Sequence, residues 1–144
     1  MKRVLIACMG KYENQLVKDT LYYFNEKNVE LNLIFIVESL SPMLKNPILR
    51  EEIRKELLEE GKLILNEVAD KFNKEGKNIN MILREGDPAE EIIKYAEDRN
   101  IDIIVVGSNK KTIDKHLLGS VTEDIVHSTP CTVLLLKTEL EEEK

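Results

Sequence analysis

The stretch GDPAEEIIKYAEDRNIDIIVVGS, residues 86–108, decides the fold class. Asp87 and Pro88 are residue types preferred at the N-cap and at the first position of a helix, and the pattern that follows predicts an amphipathic helix over 88–99. A short polar link then leads to IDIIVV, residues 101–106, a β-branched run that ends at a glycine. A buried strand directly after a well-started helix is typical of a βαβ unit, in which a crossover helix joins parallel strands.

The same alternation of apolar runs and helical patterns continues on both sides of this unit. Near-continuous apolar runs suit strands that are buried on both faces, as in a parallel sheet covered by helices. The chain therefore predicts the order β-α-β-α-β-α-β-α-β and an α/β fold with right-handed crossovers. The predicted strands are 3–8, 31–37, 79–83, 101–106 and 131–136, and the predicted helices are 13–27, 48–75, 88–99 and one that begins at 120.

Two features interrupt the regular pattern. Residues 38–48 contain two prolines between the second strand and the long helix, and they follow the carboxyl end of a strand, where open α/β sheets place ligands. They are interpreted either as a lid or as a plain variable loop. Gly61 lies inside the long helical pattern, where a glycine costs about 1 kcal/mol relative to alanine, so a bend or break at this position is one interpretation.

Composition and charge exclude several classes of protein. The 144 residues are 42% hydrophobic and 33% charged, which excludes a disordered chain, and the formal net charge of −6 argues against a general nucleic-acid binder. No apolar run approaches the ~20 residues that a membrane span needs, and the apolar part of MKRVLIACMG is too short for a signal peptide. We expect a cytoplasmic protein that binds neither a membrane nor nucleic acid.

Catalytic and metal-binding patterns were sought as well. The two cysteines, Cys8 and Cys131, lack the spacing of a metal site or a CxxC motif, and buried free thiols in a reduced compartment are expected. The sequence contains no Ser/His/Asp set and no carboxylate pair in a recognisable frame. We therefore predict no catalytic residue and no protein-bound metal site, and a protein that is not an enzyme.

Three stretches together resemble the universal stress protein family. Residues 86–108 follow its pattern of a Gly-x-Pro helix start, a helix, an aspartate and an apolar strand that ends in Gly-Ser. Residues 117–137, LLGSVTEDIVHSTPCTVLLLK, resemble its Gly-Ser helix, proline and last apolar strand, and residues 2–8, KRVLIAC, resemble its first strand. The resemblance runs over nearly the whole chain and is weakest over 38–60.

This resemblance implies a single domain over residues 1–138, followed by an acidic tail at 139–144. The implied fold is a Rossmann-like, adenine-nucleotide-alpha-hydrolase-like open sheet of five parallel strands in the order 3-2-1-4-5, flanked by helices. Cys8 and Cys131 would lie at opposite ends of that sheet, too far apart for a disulfide. The resemblance also implies a homodimer that pairs through the last strand, residues 132–137, and an apolar edge strand has its own tendency to pair with another chain.

The resemblance further implies an adenine nucleotide, because many members bind ATP through Gly-x-x-Gly, nine intervening residues and then Gly-Ser or Gly-Thr, with Mg²⁺ as a companion ion. Such glycines let the backbone approach phosphates beside the partial positive charge of a helix N-terminus. In this sequence the distance from Gly107 to Gly119 is twelve positions where the family pattern gives thirteen. Here Lys110 stands where the second glycine is expected, and it either neutralises a phosphate or blocks the site. The residues implied around the phosphates are Gly107, Ser108, Lys110, Gly119, Ser120 and Val121.

At the base and ribose, the resemblance implies Ala7, Met9 and Val37. ATP-binding members usually carry an aspartate where Met9 stands, and a thioether accepts only weak hydrogen bonds from hydroxyl groups. The departure at Met9 and the missing glycine favour an alternative, a dimeric interaction protein of the same fold that binds no nucleotide.

Residues 107–124 also have an interpretation without any ligand. Ser120 and Glu123 have the spacing of a capping box, in which the serine hydroxyl and the glutamate carboxylate satisfy each other's backbone amides. On this interpretation Gly119 merely supplies the turn before the helix. A slow ATPase is a third hypothesis, which would need Asp114 or Glu123 as a metal-binding carboxylate.

Overall fold

Parallel strands in the spatial order β3-β2-β1-β4-β5 form the sheet of the computed structural model, which describes residues 1–11, 13–109 and 119–138. All the neighbouring strands pair in parallel. The predicted α/β class and the strand order 3-2-1-4-5 are therefore confirmed. The strands are β1 Lys2–Ala7, β2 Val29–Glu38, β3 Ile79–Gly86, β4 Ile103–Asn109 and β5 Thr132–Thr138.

The helices alternate with these strands along the chain, as predicted, although their ends differ slightly from the sequence-based bounds. The first helix stops four residues before the predicted end at 27, and the long helix is displaced by one residue at each end. The helices are α1 Glu13–Tyr23, α2 Pro47–Lys74, α3 Pro88–Asp98 and α4 Ser120–Ser128. Lys110 and the acidic segment 139–144, both named in the sequence analysis, lie outside the described residues.

Two hydrophobic clusters, one on each face of the sheet, hold the layers together. On one face α1 and α2 pack against the strands, and Phe72 of α2 is completely buried beside Leu33 and Val105. On the other face α3 and α4 do the same, with Ile92 and Ile125 fully or almost fully buried. Because successive strand residues point to opposite faces, each strand contributes to both clusters, which explains its near-continuous apolar sequence.

Helix α2 runs without interruption through Gly61, so the break considered at this glycine does not occur. A Cβ atom added at Gly61 would lie 2.9 Å from Cδ1 of Leu83 and 3.2 Å from the ring of Phe35. The missing side chain therefore lets the helix approach β2 and β3 closely, which accounts for a residue that is otherwise unfavourable inside a helix.

The two helix starts on the α3/α4 face differ from each other. The Asp87 carboxylate accepts a hydrogen bond of 3.0 Å from the amide of Glu90, so the predicted N-cap of α3 is confirmed. The predicted capping box of α4 is wrong, because Gly119 is the N-cap and Ser120 is already the first helical residue. The Glu123 amide donates to the Gly119 carbonyl at 2.9 Å, which is the first regular bond of the helix.

Candidate functional site

A cavity of about 490 Å³ lies at the carboxyl edge of the sheet, beyond the ends of β1 and β2. Open α/β sheets bind ligands at this edge, where the connections from neighbouring strands leave in opposite directions. In this protein the reversal occurs between β1 and its neighbour β4. Strand β1 leads to α1 on one face of the sheet, whereas the helices before and after β4, α3 and α4, lie on the other face. The cavity is lined by Cys8, Met9, residues 35–41, Leu57, Glu60, Gly61, Ile64, Pro88, Ile92 and Val121.

The cavity has apolar walls from both faces of the sheet. Phe35 and Ile64 pack against the hydrophobic cluster of the α1/α2 face. Met9 and Val121 pack against the cluster of the α3/α4 face, to which Ile92 belongs. The cavity thus extends over the end of the sheet from one helical layer to the other, and the slot is the part of it that lies between these two sets of apolar side chains.

The charged side chains that line this cavity are the carboxylates of Glu38 and Glu60. Within the part of the chain that the structure describes, neither carboxylate makes an ion pair or a hydrogen bond, whereas the adjacent Glu59 lies 3.6 Å from the ammonium of Lys62. Two serines, Ser39 and Ser41, add hydroxyl groups. The polar lining is therefore rich in acceptors, which suits a ligand that carries hydroxyl or amino groups.

Cys8 lies at the base of the cavity and is buried. Burial raises the pKa of its thiol to about 11, because the thiolate would lose its hydration. Cys131, at the opposite end of the sheet, is also free but only half-buried, so the expectation of two free thiols is confirmed, while their burial holds for Cys8 alone. At neutral pH the Cys8 thiol is a neutral, weakly polar part of the wall and a poor nucleophile.

Three of the residues predicted at the site line this cavity together: Met9, Val37 and Val121. Ala7 lies instead inside the core of the α3/α4 face, where it is 1% exposed. Ala7 is the last residue of β1, one position before Cys8, and its side chain is packed within this core.

Of the residues predicted around the phosphates, those that the structure describes lie on two elements, β4 and α4. Strand β1 pairs with β4 as far as Ile6 and Val105, so Gly107 and Ser108 of β4 end at the same edge of the sheet as Met9. Gly119 and Ser120 are exposed at the start of α4, next to Val121. The cavity wall therefore connects directly to this helix start.

The contribution of α2 to the cavity was missed by the sequence analysis. Its apolar stripe indicated burial but not that Leu57, Gly61 and Ile64 reach the carboxyl edge of the sheet. Gly61 was the available signal, because a glycine inside a helix often marks close packing against another element. The 39–46 loop (residues 39–46, between β2 and α2) also lines the cavity through Ser39, Leu40 and Ser41.

The described ranges contain neither a candidate metal cluster nor a membrane-spanning helix. No group of three or more His, Cys, Asp or Glu side chains is placed there to hold a metal ion. Likewise, none of the described helices has the length and apolar character needed to cross a membrane.

Two known proteins resemble this chain over nearly its whole length. A universal stress protein of Methanothermobacter thermautotrophicus is 37% identical over 140 residues, which cover 95% of this chain and 96% of that protein. The solved structure of MJ0577, a protein of Methanocaldococcus jannaschii, is 26% identical, superposes with a TM-score of 0.81, and the match covers 99% of this chain and 98% of the other.

A third similar protein has a known ligand. The structure of a universal stress protein family protein from Arabidopsis thaliana, solved with AMP bound, superposes with a TM-score of 0.70 at 20% identity, over 95% of this chain and 92% of that one. The family model of the universal stress proteins matches residues 1–137 of the present sequence. With nearly the whole chain matched and the strand order in place, this protein belongs to the universal stress protein family.

Proposed function

We propose that this protein binds an adenine nucleotide, with the base and ribose in the cavity at the carboxyl edge of the sheet. The observation that carries the proposal is the slot between two apolar walls, formed by Phe35 and Ile64 on one side and by Met9, Ile92 and Val121 on the other. A planar aromatic ring buries both of its faces in such a slot, which is the main favourable term for a purine.

The size and lining of the cavity fit a nucleoside. Its volume of about 490 Å³ falls within the roughly 300–1,000 Å³ typical of small-molecule sites. The ribose hydroxyls are hydrogen-bond donors, and the carboxylates of Glu38 and Glu60 are acceptors at the same cavity. These carboxylates would repel phosphates, so the nucleotide is expected to direct its phosphates away from them.

The start of α4 offers a site for the phosphates of the nucleotide. Gly119 has no side chain with which to accept hydrogen bonds from the first-turn amides of this nine-residue helix. Helix N-termini with free amides bind anions through those N–H groups and the helix dipole. Because Val121 lines the cavity, a phosphate at this helix start would lie beside a nucleoside in the slot. AMP bound to the Arabidopsis protein supports this choice of ligand.

Nucleotide binding is expected to raise the melting temperature of the protein. A ligand that binds only the folded state at 100 times its Kd adds about 2.7 kcal/mol to the free energy of unfolding, and for a chain of this size that corresponds to roughly 5 °C or more. Differential scanning fluorimetry with AMP, ADP and ATP, each with and without Mg²⁺, measures this shift, and isothermal titration calorimetry gives the Kd.

Two comparison ligands separate the contributions. GTP carries the same phosphates with a different base, and inorganic tripolyphosphate carries no base at all. A preference for ATP over both supports the slot as a base site. If tripolyphosphate shifts the melting temperature as much as ATP does, the base is not recognised, and if no adenine nucleotide shifts it at millimolar concentration, the proposal is wrong. We propose binding without turnover, so incubation of ATP with the protein should release no phosphate.

A second candidate function is a protein-interaction module that binds no nucleotide. The observation in its favour is the lining itself, since Met9 offers no strong acceptor and the charged groups beside it, Glu38 and Glu60, are both acidic. The two functions differ in what the purified protein retains. A ratio of absorbance at 260 and 280 nm that exceeds the value for the protein alone indicates a bound nucleotide.

We also propose that the protein is a homodimer that pairs through β5. This strand is at the edge of the described sheet and pairs with β4 on one side. Val133, Leu134 and Leu135 are only partly buried there. An apolar edge strand with unpaired backbone groups is stabilised when it pairs with a second chain.

A charge in this strand is expected to separate the dimer. Leu134→Lys should shift the molar mass measured by light scattering toward the monomer at micromolar concentration, since pairing would bury the ammonium. Leu63→Lys is the matched control, because Leu63 is 62% exposed on α2, far from the strand. A monomeric native protein, or a Leu134→Lys variant that remains dimeric, contradicts a dimer through β5.

A further inference from the structure

We propose that Arg50 is a positioning residue for the nucleotide, because it holds the 39–46 loop in the conformation that closes one side of the cavity. This inference rests on the proposed function, since it concerns the same cavity. Arg50 does not line the cavity itself. It would act through the backbone of the loop, whose residues Ser39, Leu40 and Ser41 do line it.

The guanidinium of Arg50 makes two hydrogen bonds to the loop. Its Nη1 atom donates to the carbonyl oxygen of Ser41 at 2.8 Å and to the carbonyl oxygen of Leu44. Arg50 is half-buried and its own backbone is fixed in the first turns of α2, where its amide donates to the Asn46 carbonyl at 2.9 Å. A charged group anchored on a helix thus binds two carbonyls of a neighbouring segment, and charge-assisted bonds of this kind are about twice as strong as neutral ones.

The rest of the loop makes few contacts that would replace these two. The Leu44 amide donates to the Ser41 carbonyl at 3.1 Å, and the Met43 amide donates to the Ser41 hydroxyl at 3.2 Å. Both bonds are local to the loop and do not attach it to the sheet or to α2. Met43 is 86% exposed, so this part of the loop is not held by packing. Arg50 is therefore the described side chain that ties the middle of the loop to a rigid element, while Asn46 caps α2 at its end.

Loss of these two hydrogen bonds should weaken binding because the loop adopts its closing conformation in fewer molecules, while the ligand contacts themselves stay the same. When only a fraction of the molecules has a binding-competent loop, the apparent Kd rises by the inverse of that fraction. If the Arg50→Ala loop is in place for about a tenth of the time, the Kd rises about tenfold. Since closed loops retain ligands, we expect most of that change in the dissociation rate.

Arg54 provides a matched control on the same helix. It is an exposed arginine one turn further along α2, and its guanidinium binds both carboxylate oxygens of Glu85, at 2.7 Å and 3.0 Å. None of its described hydrogen bonds reaches the 39–46 loop. Arg54→Ala removes the same charge and the same side-chain length without releasing the loop.

The first measurement needs no ligand. Lys45 lies in the loop and is exposed, so brief trypsin digestion of the native protein reports how often the loop opens around the bond after Lys45. We expect cleavage there to be about tenfold faster in Arg50→Ala and unchanged in Arg54→Ala. Arg50→Gln, which keeps part of the stem and one donor, should be intermediate, and it replaces Arg50→Ala if that variant does not fold. Equal cleavage rates in the wild type and the Arg50 variants would overturn the role of Arg50.

The second measurement uses ATP as the probe. Stopped-flow displacement of a fluorescent ATP analogue gives the dissociation rate, expected to rise about tenfold in Arg50→Ala with a smaller change in the association rate. ATP should also slow the cleavage after Lys45 in the wild type. Faster cleavage together with an unchanged dissociation rate shows that the loop is not part of the ligand site and overturns the inference. Failure of the wild type to bind AMP, ADP or ATP refutes the proposed function and with it the positioning role, while the cleavage rates still decide whether Arg50 holds the loop.

Discussion

The substitution Phe72→Ala is expected to lower the free energy of unfolding by about 3–5 kcal/mol. Phe72 is the largest of the fully buried side chains and is packed at the centre of the α1/α2 face, among Leu33, Val68 and Val105. Removal of its ring forfeits the burial of a large apolar surface and leaves a cavity that rigid strands below it cannot fill. Urea denaturation followed by far-UV circular dichroism measures the change.

The control for this prediction is Leu63→Ala on the same helix. Leu63 is 62% exposed, so its replacement removes few contacts, keeps the helix propensity nearly unchanged and should alter the free energy of unfolding by no more than about 0.5 kcal/mol. Since a domain of this size is stable by roughly 5–15 kcal/mol, Phe72→Ala should lose a large part of its stability. A loss below about 1 kcal/mol for Phe72→Ala would mean that α2 is not packed on the sheet as described.

The strands could be predicted from the sequence because both faces of the sheet are buried, whereas their spatial order was implied by the resemblance to the universal stress protein family. The run 101–106 is apolar at nearly every position, and Ile104, Val105 and Val106 are completely buried, with successive side chains in different clusters. A strand with one solvent-facing side would alternate between polar and apolar residues instead. The alternation of such runs with helical patterns left few topologies to consider.

The start of α4 shows where local patterns are insufficient. Gly119 and Ser120 are both residue types that begin helices, and the spacing from Ser120 to Glu123 favoured the serine as N-cap. In the structure Gly119 adopts the extended N-cap conformation, with φ −63° and ψ 153°, so the cap lies one residue earlier than predicted and Ser120 is the first helical residue. A shift of one residue converts the predicted side-chain cap into a regular backbone bond, and only the tertiary position of the helix decides between them.

The candidate site could be predicted on the strand side but not on the helix side. The resemblance to the family implied Met9 and Val37, and both lie at carboxyl ends of strands, which parallel topology brings together. The wall formed by the 39–46 loop depends instead on which carbonyl oxygens accept hydrogen bonds from the guanidinium of Arg50. A single sequence does not specify such long side-chain contacts, because many surface arginines have the same local pattern.

The second large effect is expected at Gly61, whose missing side chain serves both the packing of α2 and the cavity. Gly61→Leu should lower the free energy of unfolding by about 1–3 kcal/mol, the usual cost of overpacking. Even a Cβ atom at this position would lie 2.9 Å from Leu83 and 3.2 Å from Phe35, and a leucine adds three further carbons. The gain of about 1 kcal/mol in helix propensity offsets only part of this cost.

The same substitution should weaken nucleotide binding, because Gly61 and Phe35 both line the cavity. A leucine at position 61 must either enter the cavity or displace Phe35. We expect the Kd for ATP to rise at least about tenfold, equivalent to about 1.4 kcal/mol, measured by calorimetry at a temperature where the variant is folded. Gly61→Ala is the graded control: the end of the Leu83 side chain can move away from a single methyl group, so stability should change by less than about 1 kcal/mol. Lys62→Leu places the same side chain at the adjacent exposed position and should leave both quantities unchanged. If Gly61→Leu binds ATP as tightly as the wild type does, the slot beside Phe35 is not the base site.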